Sequence, residues 1–178
     1  DKNAIKIDGE GFYLAPTNPS VKDYLLNVIS ELSENYLFDG IHYDYIRFHN
    51  TKYGFNERGL TEFRTLNKIN DIDYREGDNV VFSEFRRNSI TSFVKEAKEL
   101  IKLNLPNSII SAAVKPNIYD AKLMFFQEWD LWLSAGYLDW AVPMNYVVDY
   151  DKFVQNMYMI KDNIPSKYHK KIIVGIST

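Results

Sequence analysis

The chain has 178 residues, 46% of them hydrophobic and 25% charged, with a net charge of −3 and a pI near 5.6. That is the composition of one globular domain with a sizeable core. It carries no basic stripe for nucleic acid, no cysteine for disulfides or thiolate metal centres, and no run near 18 apolar residues that would cross a membrane. It opens at Asp1 with no Met or signal-peptide pattern, as a fragment or a mature product would, and targeting is not legible. Aromatic residues make up 15%, with 13 Tyr. They can line a sugar-binding cleft and equally fill ordinary core and surface positions.

Residues 5–14 alternate loosely around Asp8-Gly9 and read as a small hairpin. Asn18 then offers an N-cap, with Pro19 at the first helical position. From about Pro19 to Tyr36, Val21, Tyr24, Leu25, Val28, Ile29 and Leu32 form one apolar stripe, which predicts a helix. Residues 38–44 predict a strand. The polar stretch 48–80 reads as a long insertion after a strand end, with a short helix near 56–67; such insertions are lids or binding loops. A helix over 82–105 carries Ile90, Phe93, Val94, Ala97, Ile101 and Leu105 on one stripe and is stopped by Pro106. A buried strand at 109–114, a helix near 126–135 capped by Gly136, a strand at 138–144, a helix near 150–161 and a strand at 171–176 complete the chain.

Strands alternating with amphipathic helices imply a parallel sheet with right-handed crossovers. Both a doubly wound sheet and a piece of a (β/α)₈ barrel fit that order; 178 residues are too few for a whole barrel, which needs about 250. No GxGxxG or Walker loop follows a strand, and no cofactor or metal is expected.

Active sites in such folds sit at the C-terminal strand ends. Those ends carry Asp44, Tyr45 and Arg47; Lys115 and Asn117; Asn145 and Tyr146; and Ser177 and Thr178. Asp39 and Asp139 lie at strand starts and read as structural. In the decapeptide Phe38–Arg47, His42 and Asp44 share one face of the strand, with Ile41, Tyr43 and Tyr45 on the other. Asp44 is the catalytic candidate, as nucleophile or stabiliser of an oxocarbenium-like transition state. Its competing role is a buried Asp paired with Arg47 or Lys115. His42 either orients Asp44 and touches substrate or is a satisfied core histidine. A glycosidase needs a second carboxyl group. Glu128 is the candidate acid, against a plain first-turn acid favoured by the helix dipole; Glu84 and Glu10 are more remote. Asn145 and Tyr146 suit hydrogen bonding to and stacking on a sugar.

Five blocks carry a resemblance: Tyr13 to Val21 (YLAPTNPSV), Asp39 to Arg47 (DGIHYDYIR), Phe85 to Ile90 (FRRNSI), Gln127 to Trp129 (QEW), and Leu138 to Tyr146 (LDWAVPMNY). Together they resemble the bacterial glycosyl hydrolase-like proteins first described as a domain of unknown function, a group that includes an envelope enzyme acting on peptidoglycan strands stripped of peptides. The resemblance implies a (β/α)₈ TIM barrel present in part, about strands four to seven, as one partial domain over 1–178, with the remaining strands outside this chain. It implies an O-glycosyl hydrolase of a bacterial polysaccharide such as cell-wall glycan, with a cell-envelope or extracellular location. The partner is a polysaccharide or oligosaccharide and not nucleic acid. Asp44 and Glu128 are then catalytic, and His42, Tyr45, Arg47, Arg86, Lys115, Asn117, Asn145 and Tyr146 bind substrate. The decapeptide is also similar to the nucleophile strand of the α-amylase family, with His42 where that family has Arg. It is similar to the substrate-assisted chitinases too, but Ile46 stands where their mechanism needs Glu. Ala15 departs from the Asn or Asp common among relatives. A non-catalytic carbohydrate-binding barrel is the alternative, as is a subdomain that works only with the missing strands.

Overall fold

A computed structural model describes residues 13–68 and 79–176. The hairpin expected over 5–14, Glu10, Ser177 and Thr178 therefore lie wholly or mostly outside the described residues.

Helix α1 spans Pro19–Asn35 and starts as its sequence dictates: the Asn18 side chain accepts from the Ser20 amide, and proline fills the first position. Strand β1 (Gly40–Tyr43), helix α2 (Glu57–Asn67), helix α3 (Val80–Asn104) and strand β2 (Ile109–Val114) follow. Gly40 opens β1 because the first rung leaves no room for a side chain: a Cβ there would lie 2.5 Å from the Ile109 carbonyl oxygen. After β2 come α4 (Ile118–Met124), α5 (Trp129–Ser134), β3 (Trp140–Pro143) and α6 (Tyr150–Asn163), then a 3₁₀ turn over Ser166–Lys171.

Three parallel strands stand side by side in chain order, β1-β2-β3. His42 is in register with Ser111, and Ser111 with Trp140. Beyond β3, parallel bridges join Ala141 to Ile172 and Met144 to Gly175. The order does not reverse among the described strands, as in a barrel segment or in one half of a doubly wound sheet. The protein is thus a mixed α/β fold with a small parallel sheet, compatible with part of an α/β barrel.

The two faces of the sheet differ as the period of two requires. Tyr43, Ile110, Ala112, Val114 and Ala141 are buried in one core with Ile90, Val94, Ala97 and Ile101 of α3 and with Trp129 and Trp132 of α5. Burying each large side chain of that stripe is worth about 1.5–3 kcal/mol. Gly40, His42 and Trp140 are exposed on the other face. Asp139 has the structural role expected of a strand-start acid: it accepts from the Ile110 amide at 2.9 Å and pairs with Lys102.

Three expectations change. Helix α4 was not anticipated; it is seven residues long and rests on Asn117, which caps the Tyr119 and Asp120 amides. The helix expected over 126–135 begins only at Trp129, because Phe126 takes a left-handed φ of 55° and no helix can run through it. The strand expected over 171–176 forms two bridges, its first residue still belonging to the 3₁₀ turn. The α1 stripe is also less buried than its pattern implies. Ile29 is buried, but Val21, Leu25 and Val28 border a cavity, and Tyr24 is exposed.

Candidate active site

Asp44 is the first residue past β1, and its side chain is exposed. It opens on a cavity of about 580 Å³ between α1, β1 and α3, lined mostly by apolar residues such as Val28, Ile41, Ile90 and Phe93, with His42, Tyr45 and Arg47 also in the lining. One carboxylate oxygen accepts from the Tyr45 amide at 2.8 Å. Tyr45 is itself left-handed, with φ 52°. A tyrosine there costs roughly 1–2 kcal/mol of backbone strain, so the surroundings must hold it. They do so tightly: the Arg47 amide donates back to the Tyr45 carbonyl at 2.7 Å, and the Arg47 guanidinium lies 5.1 Å from the Tyr45 ring.

The Arg47 guanidinium also faces the Phe125 ring at 5.4 Å, and the Lys115 ammonium faces the same ring at 4.5 Å. Phe125, which the sequence did not single out, therefore links the ends of β1 and β2. Arg47 and Lys115 form no ion pair with Asp44 among the described residues; the buried Asp–Arg and Asp–Lys pairs that competed with a catalytic role are not formed. His42 contacts Ser111 across the sheet, Nδ1 to Oγ at 2.9 Å, and is exposed, not a core histidine. Tyr13, His49 and Tyr53 cluster beside Tyr45, with ring centroids 5.3–5.5 Å apart.

The structure thus brings His42, Asp44, Tyr45, Arg47 and Lys115 to one rim. Arg86, Asn117 and Asn145 are engaged in structural contacts instead. Arg86 is 1% exposed. Its Nη1 donates to the carbonyls of Thr51 and Tyr53 at 2.8 and 3.1 Å, and its guanidinium covers the Phe126 ring at 3.9 Å. Burial first, and the charge of Arg87 second, push its pKa down to about 10. It anchors the loop that follows the rim from beneath. Asn117 caps α4 with its side-chain oxygen. Asn145 is 1% exposed and joins the end of β3 to α6, donating to the Phe153 carbonyl and accepting from Asn156. Tyr146 is exposed at the end of β3, against Gly175.

Glu128 is 9% exposed and stands between helices, 3.4 Å from both Arg87 Nε and Lys122 Nζ. It does not line the cavity that Asp44 opens on. No group of acids and histidines able to hold a metal occurs among the described residues.

Gln127 is the residue that sequence reading passed over. Fully buried between α4 and α5, it bonds to both strand ends. Its only signal was its place beside Glu128 in the fourth block.

A parallel α/β sheet with an exposed aspartate just past a strand end sets that carboxylate on the side where α/β folds carry their sites. The Glycosyl hydrolase-like 10 family model matches residues 2–178, and the chain belongs to that family. Comparison with curated proteins found no match.

Proposed function

We propose that the chain is part of a glycoside hydrolase that cleaves O-glycosidic bonds of a bacterial polysaccharide, with peptidoglycan glycan strands as the candidate substrate. The fold is read as about strands four to seven of a (β/α)₈ barrel. One observation carries the reading: Asp44 is an exposed carboxylate at a strand C-terminus, opening on a cavity with a histidine, a tyrosine and an arginine in its lining. Asp44 serves as nucleophile or as stabiliser of the oxocarbenium-like transition state. Tyr45 and the neighbouring tyrosines offer ring faces for sugar C–H groups, and His42 and Arg47 offer donors for hydroxyls. The family name supports a hydrolase acting on carbohydrate.

The test uses glycan strands stripped of peptides, with new reducing ends as the readout. Asp44→Asn is expected to lower turnover on the order of 10²–10⁴-fold, with the fold intact by circular dichroism. Unchanged turnover removes Asp44 from the chemistry.

A second reading is carbohydrate binding without cleavage. The observation favouring it is that Asp44 is the sole carboxylate lining its cavity among the described residues, whereas glycosidases use two, about 5–5.5 or 6.5–9.5 Å apart. Binding of the same strands by calorimetry, kept in Asp44→Ala and with no new reducing ends, selects this reading.

A further inference from the structure

We propose that Gln127 is a positioning residue that sets the Asp44 carboxylate from within the core; the functional part of this rests on the reading of Asp44 given above. Gln127 lies in the turn between α4 and α5 and is 1% exposed. Its Nε2 donates to the carbonyl of Ile46, at 3.2 Å, and of Ala113, at 3.1 Å, while its Oε1 accepts from the Lys115 amide at 2.9 Å. Both amide hydrogens are used, and one side chain thereby fixes the segment after β1 to the end of β2.

The chain of contacts from Gln127 to Asp44 is continuous. The Ile46 carbonyl belongs to the middle residue of a three-residue turn closed by the Arg47 amide on the Tyr45 carbonyl, at 2.7 Å. That turn starts from Tyr45 in its left-handed conformation. The Tyr45 amide, aimed by that conformation, donates to the Asp44 carboxylate at 2.8 Å. Releasing the Ile46 carbonyl frees the turn, lets Tyr45 relax to an ordinary φ, and withdraws the donor that orients Asp44. Gln127 itself lines no part of the cavity, so it touches no substrate and acts only through this segment.

Gln127→Leu keeps the volume and removes all three hydrogen bonds. Gln127→Glu tests rescue: a carboxyl buried between two carbonyls is protonated by desolvation, so it donates one bond and accepts the Lys115 amide. Two readouts are taken on the folded protein: kcat and KM on the stripped glycan strands, and amide hydrogen exchange by mass spectrometry. Gln127→Leu is expected to lower kcat at least tenfold with KM within twofold, and to speed exchange over residues 45–48 at least tenfold. Gln127→Glu should fall between it and the parent in both. Should Gln127→Leu not fold, Gln127→Asn, polar but one methylene too short to span both strand ends, is read in the same way. Exchange that rises only at Lys115, with 45–48 unchanged, overturns the proposal, as does parental kcat in a folded variant. If the parent cleaves nothing, the reading of Asp44 fails by itself, and exchange over 45–48 alone decides the role of Gln127.

Discussion

Tyr43 sets its hydroxyl in the core with no hydrogen-bond partner among the described residues, and burial pushes the phenol well above its usual 10. An unmet buried hydroxyl costs about 1–3 kcal/mol, so Tyr43→Phe should unfold at an equal or higher urea concentration than the parent at pH 7. The sign at alkaline pH follows from linkage. The unfolded phenol ionises near pH 10 while the folded one stays protonated, so stability present below pH 10 is lost as pH rises beyond it. The advantage of Tyr43→Phe should therefore widen above pH 10, as urea titrations on either side of that pH would show. Arg86 is the opposite case, a charge whose hydrogen bonds carry a loop. Arg86→Ala leaves the Thr51 and Tyr53 carbonyls without their donor and empties the space over Phe126, a loss of about 2–4 kcal/mol in urea unfolding. Gly54→Ala should destabilise as well, since φ is 101° and a Cβ would come within 2.9 Å of both Arg86 and Phe48. The burial of Arg86 was written in the α3 pattern. It precedes Ile90 and Val94 by one and two steps of four, and so lies on the stripe that α3 turns to the core. The resemblance had assigned it to substrate.

Helices with long stripes and clear caps were legible, and α1, α3 and α6 begin within two residues of their expected starts. The short α2 was legible too, α5 was expected three residues too early, and α4 was not seen at all. Pro116 and Asn117 mark a helix start, but the seven residues of α4 are too few to show a period, and its stability comes from Asn117 and tertiary packing. The site divided in the same way. Position along β1 separated Asp44 and His42 from the buried face because a strand alternates strictly. Asn145 and Glu128 take their roles from partners on other elements, Asn156 and Arg87, which no local spacing reveals. The Asn145 side chain joins the end of β3 to α6 through Asn156 and the Phe153 carbonyl. Asn145→Ala should cost about 1–3 kcal/mol, and amide exchange along α6 should quicken more than along α3.

Across the whole molecule, one sheet face is packed under helices and the other carries His42, Ser111 and Trp140 in register, open to solvent. Tryptophan fluorescence reads this directly. Trp129 and Trp132 are 1% and 0% exposed and Trp140 is 38%, so acrylamide should quench one of three emitters in the 178-residue chain. Trp140→Phe should remove the quenchable fraction. In any longer chain or assembly that covers this face the same fraction should vanish, which makes Trp140 a reporter of whether the face is covered.

The one-directional strand order also bears on the route by which the chain folds. Ile110 and Asp139, which join β2 to the start of β3, are 29 residues apart, whereas His42 and Ser111, which join β1 to β2, are 69 apart. Closing the longer loop costs only about 0.8 kcal/mol more, yet it favours β2 and β3 as the pair that zips first, with β1 arriving on a preformed edge. Gln127 and Phe125 belong to the early pair, and Asp44 to the late arrival. The rim is then the final seam of the fold to close and, by the same token, the first that thermal fluctuation would open.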